Sequence, residues 1–427
     1  MLGSDPLSFD VVLCGRAFVK GEIKYSEIGI ADGKISAVRS SIPGGERRID
    51  VPGGVILPGF VDPHVHFRDP GMTDKEDFSS GTLSAVHGGV TCVLDMPNTV
   101  PPVTDVNSLL EKKDRIKGRA YVDYGLFAAV TPGCNANIMA QFVPGFKLFM
   151  GSTTGRILLN DDEEISSAFR DISKTGKRIS VHAEDDSMIA KNQEKDCRDH
   201  LRNRPVEAEI EALRRLSRFK GMKINICHNT NAESVSLANG LGFTTEVTLH
   251  HLFFEPDKFS SSEYKVNPPI RNSVVRDGLY RSFIEGKISM FGSDHAPHTL
   301  SDKSQDFDSA PSGIPGVETT IPIVMNMVRK NTIPLAQAVS MGSETPAASF
   351  GMKKGKIEEG YDADISVFDM RKCTNINVRK LHSKAGHSPF DGWEAVFPEL
   401  VMVRGDTQIK DGEFCGDRIG KDKYDKH

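Results

Sequence analysis

The chain has 427 residues, of which 38% are hydrophobic and 26% charged, with a formal net charge of −5 and a pI near 6.2. This ordinary composition and mild acidity give no basis for a nucleic-acid partner or an anionic membrane surface, and no apolar run approaches the ~20 residues of a membrane span. The length exceeds what one core usually fills, but it suits a large α/β barrel with a smaller unit attached.

At the N-terminus, Met1-Leu-Gly-Ser-Asp-Pro6 lacks a basic stretch followed by an apolar one, so no signal peptide is expected. The seven cysteines (14, 92, 134, 197, 227, 373 and 415) are odd in number and never form C-x-x-C, which points to reduced thiols in a cytoplasmic protein. Residues 9–56 read as short strands with turns: 10–14, 27–30 and 34–38 are β-rich, and Ala31-Asp-Gly33 is a hairpin signal. From Pro58 the texture changes to strands alternating with helices. Strands are predicted at 60–66, 90–96, 124–129, 145–149, 178–182, 223–227, 245–249 and 288–293, with helices at 78–88, 161–175 and 205–220. Eight such alternations predict an α/β fold, a (β/α)8 TIM-type barrel over 58–350. The β texture returns after Gly351, at 355–360, 363–368 and 399–404. Segments 1–57 and 351–427 are therefore expected to build one small β-sandwich beside the barrel, and the charged tail 417–427 is expected to fray.

In such a barrel, chemistry gathers at the C-terminal ends of the strands. The first strand ends in His64-Val-His66, whose spacing turns both imidazoles to one face. The fourth carries Lys147 inside the apolar run Gly145-Phe-Lys-Leu-Phe-Met150. The fifth ends in His182, the sixth in His228, and the eighth in Asp294 within Gly292-Ser-Asp-His-Ala-Pro-His298. Each alone has a plainer reading: satisfied core histidines, a helix cap for Asp294, a snorkelling lysine. Converging on one barrel mouth, they read as a metal site. A protonated lysine has no lone pair for a cation. Burial lowers a lysine's pKa, however, and the neutral amine can add CO2 to give an anionic carbamate whose two oxygens bridge two cations. The set thus predicts two divalent ions, with zinc the expected metal, held by His64 and His66 on one side and His182 and His228 on the other. A CO2-derived carbamate on Lys147 would bridge them. A hydroxide between the ions would be the nucleophile, and Asp294 would be both ligand and proton shuttle.

These residues, with Met96-Pro-Asn-Thr99, Lys265-Val-Asn-Pro-Pro-Ile-Arg271 and Gly313-Ile-Pro-Gly-Val-Glu-Thr319, resemble the cyclic amidohydrolases of the amidohydrolase superfamily from residue 53 to residue 404. The resemblance is nearest to the dihydroorotase group, which interconverts L-dihydroorotate and N-carbamoyl-L-aspartate in pyrimidine (UMP) biosynthesis. It implies a small-molecule substrate whose carboxylate is bound by Arg68 and Asn98. It also implies further contacts from His66, Asn267 and His298, and backbone contacts to the ring at Ser312 and Gly313. A homodimer is the assembly common among such enzymes. Two of these positions keep a structural alternative: Asn98 can shape the turn at Pro97–Pro101, and Asn267 can open the Pro-Pro turn.

Two features depart from the group. Some dihydroorotases carry an aspartate where this chain has Lys147, so the fourth strand is similar to the carboxylated-lysine branch that also includes dihydropyrimidinase, hydantoinase and allantoinase. Ser312 stands where many members have an aromatic residue. His250-His251 reads as structural, and Cys227 as core. Allantoinase or hydantoinase is the alternative activity, and Arg68 discriminates, since a ring carboxylate needs a cationic partner. A non-catalytic scaffold related to dihydroorotase is a more distant alternative, disfavoured because all six metal-site residues are present.

Overall fold

Alternating apolar residues at both chain ends give strands that pair with one another rather than with the barrel. In the computed structural model, which describes residues 8–152 and 157–425, they form one eight-stranded sheet. Its members are β1 (Val11–Val19), β2 (Glu22–Ala31), β3 (Lys34–Arg39) and β4 (Arg47–Pro58) from the N-terminal side. From the C-terminal side come β14 (Ile365–Asn375), β15 (Glu394–Val403), β16 (Asp406–Lys410) and β17 (Glu413–Phe414). The order is β17-β16-β15-β14-β4-β1-β2-β3, with β1 and β4 parallel and β14 antiparallel to β4. Leu13, Ile28, Ile56, Ile365 and Met402 meet in one apolar cluster, so the two ends share a core. The hairpin between β2 and β3 turns at Asp32 and Gly33, both at positive φ (50° and 71°), the conformation a two-residue turn requires. The N-terminal stretch Met1–Pro6 lies outside the described residues.

β4 leads into the barrel through Gly59, where a Cβ would lie 2.3 Å from Thr91 Oγ1, so only glycine fits this crossing. The barrel strands are β5 (Phe60–Val65), β6 (Val90–Asp95), β7 (Asp123–Leu126), β8 (Ala128–Ala129), β9 (Gly145–Phe149), β10 (Arg178–His182), β11 (Ile224–Ile226), β12 (Thr244–Val247) and β13 (Met290–Phe291). All pair in parallel. The third barrel strand, expected as one piece at 124–129, is split at Phe127: β7 pairs with β6 and β8 with β9. The ring closes where Val65 bridges His295 and the His66 N–H donates to His295 O at 2.7 Å.

Helices at Phe78–His87, Asp162–Lys174 and Val206–Leu216 fall where the periodicity predicts them. Asp77 and Asp161 cap the first two through backbone N–H groups of the first turn. Among the described residues no helix is long and apolar enough to cross a membrane.

The expected fraying of the tail is incorrect over its described part. Residues 417–425 pack along β7, where Gly420 N donates to Ala120 O (2.9 Å) and Lys423 N to Tyr124 O (2.9 Å), while Tyr124 N donates to Lys421 O (3.0 Å). Tyr424 OH reaches Phe350 O at 2.7 Å. What the charge pattern hid is an ionic knot. The fully buried Lys354 Nζ lies 2.7 Å from Asp123 Oδ2, 3.0 Å from Asp362 Oδ2 and 2.5 Å from Asp364 Oδ2, with Arg404 on Asp123 and Lys423 on Asp362. The knot joins barrel, sheet and tail.

Removing one partner from a buried ionic network leaves charges unpaired and costs roughly 3–5 kcal/mol. Lys354→Met is expected to lower stability by that order in urea unfolding. Burial opposes the charge on Asp362, yet Lys354 and hydrogen bonds from Lys34 and Lys423 hold its carboxyl far below the usual range. Its contribution is therefore complete above about pH 4 and lost as the pH falls further, so the gap between wild type and variant should narrow in acid.

Candidate metal centre and active site

One pocket at the C-terminal ends of the barrel strands is lined by His64, His66, Arg68, Asn98, Lys147, His182, His228, Asn267, Asp294, Ser312 and Gly313, together with Phe149 and Ala296. The structure thus brings together every expected site residue except His298, which stands behind Arg68 with its Nε2 3.2 Å from the guanidinium Nη2.

The imidazoles are held from outside. His64 Nδ1 lies 2.7 Å from Glu246 Oε1, His66 Nδ1 lies 2.7 Å from Asn98 Oδ1, and His182 Nε2 lies 2.7 Å from Glu184 Oε2. Each outer nitrogen faces an acceptor and so carries the proton, which turns the lone pair of the other nitrogen into the pocket. There, His64 Nε2 and His66 Nε2 sit 3.3 and 3.1 Å from Asp294 Oδ1, and His182 Nδ1 sits 3.0 Å from His228 Nε2. His228 Nδ1 is buried and has no hydrogen-bond partner among the described residues. Lys147 is 1% exposed, and its Nζ meets His64 Nε2 at 3.4 Å, Cys227 Sγ at 3.0 Å and the Phe149 ring centre at 5.2 Å; none of these contacts is a carboxylate. Cys227 is buried, as a core thiol would be, but it touches this amine.

Three of these residues have left-handed backbones: Arg68 (φ 61°), His228 (φ 36°) and Asp294 (φ 46°). Non-glycine residues avoid this region, and the strain marks sites where side-chain aim outweighs backbone comfort.

The electrostatics suit a cation. Burial works against charge on Asp294, but the neighbouring His64 and His66 rings draw its carboxyl well below the usual range. Burial lowers His66 to about 4 and also lowers His182 and His228, leaving neutral imidazoles, the ligand form. Burial and Lys147 oppose charge on His64, yet Glu246 and Asp294 raise it to about 10. Two carboxylates around one imidazole call for positive charge at this point, and a divalent ion would take the place of the inner proton that otherwise supplies it. His64, His228 and Asp294 place donor atoms within 4.8 Å of one another. Inward lone pairs and an ionised carboxylate fit a borderline divalent metal.

The amidohydrolase family profile matches residues 55–407. A dihydroorotase of Thermoplasma acidophilum is 38% identical over 97% of this chain and 98% of its own length, and one of Pyrococcus furiosus is 36% identical over 96% and 95%. The chain belongs to the amidohydrolase family, in its dihydroorotase branch. The L-hydantoinase (dihydropyrimidinase) of Arthrobacter aurescens superposes with a TM-score of 0.90 at 29% identity, covering 96% of this chain and 99% of that one. Amidohydrolases of this kind are metal-dependent hydrolases of cyclic amides, and their barrel is the one described above.

Around the amidohydrolase centre, the remaining positions have these contacts. Arg68 is 2% exposed, and its Nε donates to Pro297 O at 3.2 Å. Asn267 Oδ1 lies 2.9 Å from His200 Nε2 and accepts from Ser312 Oγ at 3.2 Å. The Gly313 N–H is spent on Lys265 O (2.9 Å), and its carbonyl takes Lys303 Nζ at 3.0 Å with a second lone pair to spare for a ring N–H. A Cβ at Gly313 (φ 138°) would sit 2.3 Å from Ala296 O. His251 lies 2.7 Å from Thr248 Oγ1 and 2.9 Å from Pro268 O, a structural arrangement. Neither Glu246 nor the part Glu184 plays stands out in the sequence pattern. The available signal was a lone acid in the buried strand Thr244-Thr-Glu-Val247 and the acid two residues after His182.

Glu246 also accepts from Asn225 Nδ2 (3.2 Å) and the His228 N–H (3.2 Å), so it fixes two imidazole-bearing strands at once. Glu246→Gln is expected to weaken divalent-metal binding about 10- to 100-fold, measured by competition with a chromogenic chelator. Unchanged affinity would contradict the orienting role.

Proposed function

We propose that this chain is the dihydroorotase its relatives are named for, opening L-dihydroorotate to N-carbamoyl-L-aspartate and closing it in reverse. In this reading His64, His66, Lys147 as its carbamate, His182, His228 and Asp294 hold two divalent ions, with zinc the expected metal. Such ions supply Lewis acidity and bring a water to ionise near neutral pH. Asp294, kept anionic by His64 and His66, takes the proton of the attacking water on its carboxylate and returns it to the ring nitrogen as the amide bond breaks. Arg68 offers its guanidinium edge to the substrate carboxylate, joined by the Asn98 side chain and by His298. Asn267, Ser312 and the Gly313 carbonyl flank the dihydropyrimidine ring. A homodimer in the cytoplasm is the setting this reading assigns to the enzyme.

The observation that carries the choice of substrate is Arg68. It is a cation buried in the pocket wall, and the polar groups within 3.2 Å of it are a backbone carbonyl and an imidazole rather than an acid. A buried charge needs a partner, and a ring carboxylate supplies one where an uncharged hydantoin does not. Purified enzyme should therefore prefer L-dihydroorotate to allantoin and dihydrouracil. Arg68→Met should keep its metal while losing about 10- to 100-fold in kcat/KM for dihydroorotate, the worth of a charged hydrogen bond. Wild-type kcat/KM in that variant would overturn the assignment.

A further inference from the structure

Lys75 lies in the loop after β5, outside every motif that the sequence singles out. Its Nζ stands 3.1 Å from His298 Nδ1 and 3.0 Å from Asp302 Oδ2. Asp302 is itself fixed, because its Oδ2 accepts the Thr299 N–H at 3.0 Å while its own N–H donates to Thr299 Oγ1 at 3.1 Å. The ammonium is thus clamped between an anchored carboxylate and one nitrogen of a buried imidazole. On the other side of that ring, Nε2 lies 3.0 Å from Ser312 O and 3.2 Å from Arg68 Nη2.

An ammonium has donors and no acceptor, so the ring nitrogen facing it has to present a lone pair. The guanidinium facing Nε2 is likewise only a donor, but Ser312 O, at 3.0 Å against 3.2 Å, is an acceptor on that side and nothing comparable faces Nδ1, so in a neutral imidazole the proton sits on Nε2. We propose that Lys75 is a positioning residue: it sets His298 as the neutral Nε2–H tautomer, whose N–H, resting on Ser312 O, is then a donor that the substrate carboxylate can share. This inference rests on the dihydroorotase reading for its catalytic consequence, but not for the tautomer. With Nε2 protonated, the imidazole offers Arg68 no lone pair, and the guanidinium edge facing it stays a donor for the incoming carboxylate. Arg68 and His298 then present N–H groups to the same anion, a complementarity the opposite tautomer would spoil.

The groups facing His298 agree. Burial, then the charges of Arg68, Lys75 and Lys303, hold the ring neutral far below its usual range, and among the described residues the acid paired with it is Asp302, 4.0 Å from Nδ1. His387 approaches only the backbone, with its Nε2 3.1 Å from His298 O.

The test is long-range 1H–15N correlation of the histidine rings in the metal-loaded full chain at neutral pH, with His298→Asn identifying the signal. Wild type should show the Nε2–H form. Lys75→Met should shift the ring towards the Nδ1–H form or towards protonation as the pH falls to about 6, and Lys75→Arg, which keeps a cationic donor, should restore the wild-type pattern. KM for dihydroorotate should rise about tenfold in Lys75→Met, with kcat changed much less. An Nδ1–H ring in the wild type, or a ring unaffected by Lys75→Met, would overturn the proposal. A wild-type enzyme inactive on dihydroorotate would instead overturn the functional reading, since the ring nitrogens report the tautomer whatever the substrate.

Discussion

Three oxygen atoms behind the imidazoles decide what the pocket can do. Glu246, Asn98 and Glu184 each take the outer N–H of an imidazole, and that hydrogen bond turns the other nitrogen's lone pair inward. Without it, three buried histidines would be free to exchange tautomers and rotate, and the pocket would have no fixed donor set. The holders are themselves held. Glu246 is tied to Asn225 and the His228 N–H, and Glu184 is paired with Arg204, which with His182 brings its carboxyl down to about 2 against the effect of burial. The first barrel strand therefore takes its side-chain aim from the seventh, and the fifth from an arginine beyond it.

The two ends of the barrel divide the work. At the mouth, Arg68, His228 and Asp294 accept left-handed backbones to aim their side chains. At the opposite end, the knot of Lys354 with Asp123, Asp362 and Asp364 pins the barrel, the eight-stranded sheet and the C-terminal segment together. A strained mouth on a well-anchored base is what a barrel enzyme needs if its site residues are to stay in conformations the chain would otherwise leave.

Much of this was legible in the sequence because barrel strands advertise themselves. The apolar runs ending in His64-Val-His66, His182 and His228 fix both strand and face by the period of two, and β9 and β10 fall on the residues that pattern predicts. Lys147 stood out because nothing in an apolar run excuses a cation. What stayed hidden depends on contacts distant in sequence. Glu246 looks like any acid until it meets His64, 182 residues away. The tail looked like a solvated charge run because its partners Asp123 and Asp362 lie far up the chain. Lys75 carries no motif, and its meaning comes entirely from His298. The break at Phe127 is likewise invisible to periodicity, since the residues on both sides of it are equally apolar.

Lys147 is the residue on which the proposed centre stands or falls: a buried amine beside His64, with a thiol and an aromatic ring for its other neighbours, has to be made anionic before it can join two cations. Carbon-13 NMR of protein equilibrated with 13C-bicarbonate, with metal content measured on the same sample, tests this directly. The expected result is one labelled carbamate carbon that disappears in Lys147→Arg, accompanied by two divalent ions per chain in the wild type. A wild-type enzyme that is fully active with no labelled carbon, or with a single ion, would contradict it.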